Sequence, residues 1–316
     1  MNRCILFTLL LIPLAVFARE PNGSLGLIQS PHNGRPALAL QGESFMVELQ
    51  EEATLQLRSE KRTIPLDVTW SVGSGGNVTG TCRVPSDAAP GPYTLEAATV
   101  TSTDQNIRSV YLYDAFPEDY RIAHVPGESV SAERLQRALA TAGESGAAFA
   151  LITAPLANTK DPELLEAFST VLDESPLPAF LCPQQNSSDD DPYAALFGTR
   201  SFAFQFGRDG YLGFNAPGAP NRAALTDAPA AQHRLRRFIR PARWSIGFTQ
   251  HYDAAMDMRS QLTLFVDDPL DVLIAGDVRA GHETIPWGST ALIATAGNDV
   301  QLIEVSEQGV NEIRPQ

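Results

Sequence analysis

The sequence predicts a mixed α+β/α/β protein in which an antiparallel β-sandwich precedes a layered region of strands and helices. Residues 19 to about 115 contain short runs of alternating apolar and polar side chains between Gly, Pro and Ser clusters, without a convincing helical pattern. This pattern is typical of an antiparallel sandwich. From Tyr120 onward, apolar strand-like runs alternate with helical segments, which favours β-α-β layers. Because 316 residues suffice for two cores, we predict domains at 19–115 and 116–316.

Composition and charge exclude some classes of function. The chain has 43% apolar and 19% charged residues, as folded globular proteins do, and its formal net charge is −14. A field of this sign repels a phosphate backbone, so nucleic acid is not expected as a partner. A basic cluster lies on and just after a predicted helix, at Arg234, Arg236, Arg237, Arg240 and Arg243. We interpret this cluster as a solvated helix face.

Residues 1–18 have the pattern of a secretory signal peptide. Arg3 precedes an apolar run from Ile5 to Phe17, which is shorter than the ~20 residues that cross a bilayer. Ala15-Val-Phe-Ala18 places small residues at the usual cleavage positions, which predicts a mature chain that starts near Arg19. We therefore expect an exported protein, periplasmic or extracellular, without a membrane span in the mature chain. An uncleaved anchor is the alternative.

Two cysteines, Cys82 and Cys182, remain after the expected cleavage. They could pair in an oxidising compartment. However, they fall in different predicted domains, and Cys182 lies in an apolar strand where a cysteine packs as a small hydrophobic residue. We expect two buried thiols.

The predicted sandwich strands come from alternating patterns at residues 44–49, 53–57, 66–71, 93–97 and 108–113. Trp70 is expected to pack in their core. Pro90-Gly91 fixes a turn before Tyr93 enters its strand. The run from Pro85 to Glu96 resembles the start of a strand in immunoglobulin-like modules attached to exported bacterial enzymes, although an antibody-type disulfide pattern is absent. This resemblance implies an immunoglobulin-like sandwich.

The second domain is predicted from Tyr120, after a linker at 114–119. Ser131 can cap a helix with Leu135, Leu139 and Ala142 on one face. Asp161-Pro162 marks the start of a second helix, with an apolar stripe at Leu164, Leu165, Phe168, Val171 and Leu172. Arg208-Asp-Gly210 predicts a hairpin between strands 201–206 and 211–214. Further helices are predicted at 230–239 and 257–266, and further strands at 245–249, 271–275, 290–295 and 300–305.

Five segments of the second domain end predicted strands, at residues 120–128, 148–156, 178–187, 245–253 and 271–279. Their order, spacing and flanking residues resemble the calcineurin-like metallophosphoesterases. The surroundings match best at the third segment, where 178–183 precedes the family's G-N-H-[DE] motif and 193–198 and 201–207 follow it. The resemblance implies an αββα sandwich. In that family two divalent metal ions at the strand ends clamp the phosphate and activate a water molecule.

The metal-ligand motifs of that family are missing from this chain. The aspartate and histidine of its D-x-H would fall near Gly127 and Ser129, and Ala154-Pro155 replaces its Gly-Asp. At the other three strand ends, the ligand positions hold Gln185 and Asn186, Gln250 with His251 next to it, and Gly276-Asp277-Val278-Arg279. Loss at all five strand ends beside an intact hydrophobic framework is a consistent pattern. We expect no bound cofactor.

A remodelled cleft could exist at the same strand ends. The polar residues expected there are Glu128, Gln185, Asn186, His251, Asp253 and Asp277. A single metal held by His251, Asp253 and Asp277 is conceivable. The alternative, which we favour, is that each is an ordinary hydrogen-bonding loop residue. His124 is expected to pack inside its strand.

Three hypotheses about function follow. The first is an exported, catalytically inactive relative of the metallophosphoesterases that acts as a binding or envelope-associated structural protein, with an unknown protein or glycan partner in the cell envelope. The second is a metal-dependent phosphoester hydrolase with a remodelled site. The third gives the leading role to the sandwich as a carbohydrate- or protein-binding module. We favour the first.

Overall fold

The computed structural model describes residues 25–73, 76–157, 159–184, 192–198, 201–214, 229–252, 262–278, 284–286, 288–294 and 297–313. The expected signal peptide lies outside this part of the chain, so export stays a prediction.

Nine strands form a two-sheet β-sandwich: β1 (Ile28–Ser30), β2 (Ala37–Leu40), β3 (Ser44–Leu49), β4 (Thr54–Arg58), β5 (Thr63–Pro65), β6 (Asp67–Val72), β7 (Val78–Arg83), β8 (Gly91–Ala98) and β9 (Thr103–Tyr113). One sheet has the order β1-β3-β7-β6 and the other the order β2-β9-β8-β4-β5. All pairs are antiparallel except β2 with β9, which run parallel. The predicted sandwich is confirmed.

The strand order is that of an immunoglobulin-like sandwich. When the nine strands are lettered A, A′, B, C, C′, D, E, F and G, the sheets read A-B-E-D and A′-G-F-C-C′. Tyr93 lies near the start of the strand at position F, and its hydroxyl donates a 2.8 Å hydrogen bond to the carbonyl of Ala89 four residues earlier. That contact is the tyrosine corner of such sandwiches. The strand begins at Gly91, within the turn that Pro90-Gly91 predicts.

Trp70 lies half-buried at the edge of the sandwich core, where it was expected to pack. Its direct cross-strand partner on β7 is Gly80. A Cβ atom at Gly80 would lie 2.7–2.9 Å from Val68, Trp70 and Val47. The missing side chain therefore leaves room for the indole ring to lie across β7.

The second region begins with β10 (Tyr120–Val125). It continues with α1 (Ala132–Glu144), β11 (Phe149–Ile152), α2 (Pro162–Asp173), β12 (Ala179–Leu181), α3 (Pro192–Phe197), β13 (Phe202–Phe206), β14 (Asp209–Gly213), α4 (Pro229–Ile239), β15 (Ser245–Tyr252), a π-helical turn (Leu262–Val266), β16 (Val272–Val278), β17 (Ala291–Ala294), β18 (Gln301–Ser306) and β19 (Gly309–Ile313). Two five-stranded sheets result, in the orders β12-β11-β10-β18-β19 and β13-β14-β15-β16-β17. Strands β10 to β12 run parallel, as do β14 to β17.

These elements form layers around three apolar clusters. Helices α1, α2 and α3 pack on the outer face of the first sheet through residues such as Leu135, Leu165 and Leu196. The facing sides of the two sheets enclose an aromatic core that includes Phe149, Phe180, Phe206, Tyr211 and Phe248. The π-helical turn and Ile239 of α4 cover the outer face of the second sheet. Ser131 and Asp161 accept the helix-capping hydrogen bonds that the sequence predicts.

Several expectations about individual elements need correction. The turn between β13 and β14 lies at Gly207-Arg208, so Asp209 and Gly210 already belong to the second strand. The tail adds a third strand, β19, which the sequence did not reveal. Leu164 of the predicted apolar stripe is exposed, because it lies on the side of α2 that faces away from the sheet. In the predicted helix at 257–266, only 262–266 is described, and it forms the π-helical turn.

The interpretation of the basic cluster as a solvated face is wrong for two of its five members. Arg236 is 4% exposed and donates to the carbonyls of Asp268 (3.1 Å) and Pro269 (2.7 Å). The Arg243 side chain is 7% exposed and pairs with buried Asp209. Arg234, Arg237 and Arg240 are exposed as expected. Arg236 lies on the side of α4 that packs on the second sheet, whereas Arg243 follows the helix, which ends at Ile239.

A sandwich segment, residues 31–35, joins the two regions. Gly34 forms a parallel bridge with Phe180, and its carbonyl accepts a 2.8 Å hydrogen bond from the Leu181 amide, so this segment covers the β12 edge. The buried amide of Asn33 donates to the carbonyl and hydroxyl of Ser169 on α2, both at 3.0 Å. Because the two regions pack directly on each other, the boundary at residue 115 stays a prediction.

Candidate functional site

The carboxyl ends of the parallel strands of both sheets meet at one edge. We call this the strand-end edge and define it by Gly127, Thr153, Cys182, Phe214, His251 and Asp277. The amide of Gly127, after β10, donates a 3.2 Å hydrogen bond to the carbonyl of Gly276 on β16. A Cβ atom at Gly276 would lie 2.5 Å from the hydroxyl of Thr153, after β11. Ligands commonly bind at such an edge, so this is the candidate site.

A backbone hydrogen bond joins the two sheets at this edge. It runs from Gly127, in the loop after β10, to Gly276 of β16, the strand that also carries Asp277. These are two of the five strand ends that the sequence analysis compared with the metallophosphoesterase motifs. Pro155, at a third strand end, offers no side-chain ligand atom and accepts an amide hydrogen bond from Val130.

Arg134 of α1 holds the loop after β10. Its guanidinium donates to the carbonyls of Ser129 (2.6 Å) and Pro126 (2.8 Å), and also to that of Asn298. A fixed cation therefore lies beside the end of β10. The sequence did not single out this arginine, because its contact with Asn298 spans 164 residues.

A buried polar pair lies beneath the strand-end edge. His124 is fully buried in β10, as predicted, and its Nε2 lies 2.7 Å from the hydroxyl of Thr153. Burial lowers the pKa of His124 to about 4, because the charged imidazolium loses its hydration there. The imidazole is thus neutral at physiological pH and enclosed by protein, so it serves packing.

Cys182 directly follows β12 at the same edge. Its Sγ lies 3.4 Å from the carbonyl of Phe214 and 3.8 Å from that of Phe248. Cys82 is buried in the sandwich core, and burial raises the pKa of its thiol to about 12. The two thiols therefore lie in different cores, in line with the expectation of two buried cysteines.

His251 and Asp277 are the pair of predicted site residues that the structure brings together. They are direct neighbours on β15 and β16, and their side chains meet with a distance of 3.2 Å between Nδ1 and Oδ2. The imidazole is 29% exposed and the carboxylate 54% exposed. The pair can exchange a proton or bind a polar group at the surface. It supplies two donors to a metal, fewer than the three or more that a stable site requires.

The other predicted site residues are placed as follows. Glu128 is exposed on the loop after β10, next to Gly127. Gln185, Asn186 and Asp253 lie outside the described residues. Within the described part of the chain, no group of three or more His, Cys, Asp and Glu side chains could hold a metal ion. Of the conceivable metal site at His251, Asp253 and Asp277, the structure therefore describes only His251 and Asp277.

A buried charged cluster that the sequence did not predict lies at the opposite end of the sheets. Fully buried Asp209 accepts hydrogen bonds from the Tyr120 hydroxyl (2.9 Å), from Arg243 (2.6 and 3.0 Å) and from the Trp244 amide (3.2 Å). Burial raises the pKa of Tyr120, and the hydrogen bond to Asp209 raises that of Arg243. The cluster ties the two sheets together where their parallel strands begin, and its enclosure indicates a structural role.

A polar surface depression of about 330 Å³ lies on the sandwich, remote from the strand-end edge. Its lining includes Asp67, Arg83 and Asp87, and Asp87 is paired with Arg62 at 2.7 Å. Charges of both signs are thus present, which favours no single class of charged ligand.

Among the described residues, no helix combines the length and the apolar character that crossing a bilayer would require.

Comparison with known proteins adds little to these observations. No known protein family matches the chain, and no curated protein matches it. Solved structures to which it is similar include amylomaltase from Corynebacterium glutamicum, with 13% identity over 40% of this chain and 21% of that one and a TM-score of 0.22. The Lin-41 filamin domain matches with 13% identity over 28% of this chain and 91% of that one, with a TM-score of 0.20.

A third such structure is SGBP-B of the Bacteroides ovatus mixed-linkage glucan utilization locus in complex with a mixed-linkage heptasaccharide. It has 14% identity over 33% of this chain and 25% of that one, with a TM-score of 0.21. The chain spans about a fifth of the amylomaltase and a quarter of SGBP-B. TM-scores this low carry no argument about function or ancestry. The immunoglobulin-like assignment rests on the strand order and the tyrosine corner, and the resemblance to metallophosphoesterases gains no support from these comparisons.

Proposed function

We propose that this chain is an exported, metallophosphoesterase-like protein without catalytic activity, which acts as a binding or envelope-associated structural protein. The observation that supports the proposal is the contact between the two sheets at the strand-end edge. Gly127 donates a backbone hydrogen bond to Gly276, and the resemblance would place metal ligands at these two strand ends.

The residues that the structure describes at this edge do not fit a dinuclear metal centre. Such a centre draws carboxylates, imidazoles and an amide oxygen from several strands. Here Gly127 and Pro155 offer no side-chain donor, and the Arg134 guanidinium binds the carbonyls of the first loop. We derive no hydrolytic step through metal ions from this arrangement.

In this proposal, the surface that contacts the partner belongs to the sandwich and the layered region together. The sandwich has the strand order of immunoglobulin-like domains, which often serve recognition, although a fold alone does not specify a partner. The partner would be a protein or a glycan of the cell envelope. Because residues 31–35 pack on α2 and β12, a binding screen should use the full chain rather than residues 19–115 alone.

Metal analysis combined with a turnover assay tests the proposal. The full-length protein would be incubated with Mn²⁺, Zn²⁺ or Fe²⁺, desalted, and assayed with a generic aryl phosphate. We expect substoichiometric metal and no turnover beyond that of His251→Ala and Asp277→Asn variants. Two ions per chain, together with turnover that disappears in His251→Ala, would defeat the inactive assignment.

A second candidate function is a phosphoester hydrolase with a remodelled site. The specific observation that favours it is the half-exposed His251–Asp277 pair, because an imidazole beside a carboxylate is a common acid–base unit. A hydrolase would lose turnover in both His251→Ala and Asp277→Asn, while His233→Ala, on α4, would leave it unchanged. Equal background rates in all four proteins would remove this candidate.

Export is tested separately. Fractionation of cells that produce the full-length chain, followed by N-terminal sequencing, should place the protein outside the cytoplasm with a start near Arg19. A cytoplasmic protein that begins at Met1 would contradict the proposed export, whatever the outcome of the activity assay.

A further inference from the structure

The polar depression of about 330 Å³ lies at one end of the sandwich, and we call it the sandwich depression. Three segments of the chain line it: Gly42 in the turn between β2 and β3, Pro65 and Asp67 where β5 leads into β6, and residues 83–87 where β7 ends. Its volume is within the range of about 300–1,000 Å³ that is common for small-ligand sites. The depression therefore has room for a ligand of that size.

Hydrogen bonds hold the walls of the sandwich depression in place. The amide of Val84 donates to the carbonyl of Glu43 at 2.8 Å, which ties the end of β7 to the turn before β3. The guanidinium of Arg62 donates to the carbonyl of Asp87 at 2.9 Å and to its carboxylate at 2.7 Å. Because these walls are fixed before a ligand arrives, little conformational entropy is lost when it binds.

Two opposite charges in the sandwich depression have no partner. Asp67 of β6 and Arg83 of β7 are direct cross-strand neighbours, and both are exposed. Opposite charges at such positions attract each other. Within the described part of the chain, however, neither side chain forms an ion pair or a hydrogen bond, and the Ser86 hydroxyl has no partner either. A carboxylate, a guanidinium and a hydroxyl group are therefore available to a ligand.

An uncharged ligand with hydroxyl groups matches these side chains best. An anion would be repelled by Asp67 and by the net charge of −14. A cation would meet Arg83 opposite Asp67, and Asp87 is already paired with Arg62. A hydroxyl group, in contrast, accepts a hydrogen bond from a guanidinium and donates one to a carboxylate. Neighbouring hydroxyl groups of a sugar can therefore use both side chains at once.

We propose that the sandwich depression binds a neutral, hydroxyl-rich glycan. Arg83 donates to one hydroxyl group of a sugar residue and Asp67 accepts from another, while C–H groups of the ring pack on Pro65 and Pro85. This inference rests on the proposed function, because it gives the glycan partner a chemical class and a place on the sandwich. The contact involves few side chains, so we expect a Kd between about 10 µM and about 1 mM.

An array of neutral oligosaccharides tests whether the full-length protein binds such a glycan. The array would include the hexasaccharides of the cello-, malto-, laminari- and chito-series. We expect at least one of them to bind, and isothermal titration calorimetry with that oligosaccharide gives its Kd. A rise in salt from about 50 mM to about 500 mM should leave this Kd nearly unchanged, because the ligand carries no charge. A protein that binds no oligosaccharide of the array would overturn the proposal.

Two variants test the site. Arg83→Ala and Asp67→Asn should each raise the Kd for that oligosaccharide about tenfold or more, because each removes a charged partner of a hydroxyl group. The matched controls are Arg121→Ala on β10 and Glu52→Gln between β3 and β4, which are exposed and lie outside the depression. Both controls should keep the wild-type Kd. Because all four positions are exposed, thermal unfolding should show four folded proteins with the wild-type melting temperature.

Other outcomes separate this inference from the proposed function. Oligosaccharide binding that Arg83→Ala and Asp67→Asn leave unchanged would keep the glycan partner but reject the depression as its site. Binding of free glycine that both variants abolish, without oligosaccharide binding, would show that the two charges hold a zwitterion, and the glycan proposal would be wrong. Turnover of an aryl phosphate with two bound metal ions would defeat the inactive assignment and leave the glycan site standing.

Discussion

Individual residues decide whether the strand-end edge can perform chemistry. Arg134 uses its guanidinium for three loop carbonyls, and Gly127 uses its amide for Gly276. Groups that could have faced a ligand are thus bound to the protein itself. The half-exposed His251–Asp277 pair is a polar feature of this edge that points to solvent.

His124 should make the stability of the protein depend on pH. Its pKa is about 4 in the folded state and about 6.5 when unfolded, so the unfolded chain binds more protons between these values. Stability is fully present above pH 6.5 and falls as the pH drops towards 4, by up to about 3 kcal/mol from this residue. Urea unfolding at pH 7.5 and 4.5 should show a smaller loss for His124→Gln than for the wild type.

The control for this measurement is His233→Gln on α4, which should keep the wild-type loss. If His124→Gln and the wild type lose the same free energy of unfolding between the two pH values, His124 is not the buried neutral residue described above.

Asp209 should be essential to the stability of the buried charged cluster. Asp209→Asn removes the charge that Arg243 faces inside the protein, and an uncompensated buried charge costs about 3–5 kcal/mol. Urea unfolding measures the effect. Glu307→Gln serves as the control, because Glu307 lies 3.8 Å from Arg243 but is 53% exposed, so we expect less than about 1 kcal/mol. Equal losses in the two variants would show that burial of the Asp209–Arg243 pair does not matter.

At the scale of elements, the sandwich depends on a glycine beneath Trp70. Gly80→Ala should lower the free energy of unfolding by about 1–3 kcal/mol, because its methyl group would meet Val68, Trp70 and Val47 at 2.7–2.9 Å. Thermal unfolding of Gly80→Ala, Trp70→Leu and the double variant measures the coupling between the two positions. Strictly additive losses would contradict the packing of the ring over Gly80.

Elements that carry strong local signals could be predicted from the sequence, and others could not. Ser131 and Asp161-Pro162 marked helix starts because capping depends on neighbouring residues. Strand β7 was missed because Gly80 interrupts its alternation of apolar and polar residues. The glycine is explained only by the ring of Trp70 on the neighbouring strand β6. Strands β1 and β2 pair with β3 and β9, not with the strands that follow them directly in sequence. The exposure of Leu164 likewise depends on how α2 sits on the sheet.

The candidate site was predictable only in part. The sequence placed His251 and Asp277 at strand ends, and parallel register brings them to 3.2 Å. The Gly127–Gly276 hydrogen bond joins residues 149 positions apart, and the Arg134–Asn298 hydrogen bond joins residues 164 positions apart. No local pattern in the sequence reveals contacts over such distances. Gln185, Asn186 and Asp253 lie outside the described residues, so their predicted place at this edge stays a prediction.

At the scale of the whole molecule, the sandwich and the layered region should unfold as one unit. Buried Asn33 connects them through hydrogen bonds to Ser169, and Gly34 extends the sheet edge at β12. Urea unfolding followed by circular dichroism and by tryptophan fluorescence should give coincident transitions in the wild type. Asn33→Ala leaves Ser169 without this partner and should lower stability by about 1–3 kcal/mol.

The buried contact of Asn33 between the two regions should matter more for stability than the exposed contact of Gln41. Gln41→Ala removes an exposed contact with Asp114 and should change stability by less than about 0.5 kcal/mol. Two separate transitions in the wild type, or an Asn33→Ala variant as stable as Gln41→Ala, would show that the two regions fold independently.

The central claim is that the strand-end edge of this layered region does not hold a pair of metal ions. Anomalous diffraction from crystals of the full-length protein grown with Mn²⁺ tests it most directly. We predict no paired anomalous peaks between Gly127, Thr153 and Gly276, with the backbone contact of the two glycines intact. Two peaks about 3.5–4 Å apart at that edge, the spacing of two-metal hydrolases, would contradict the account.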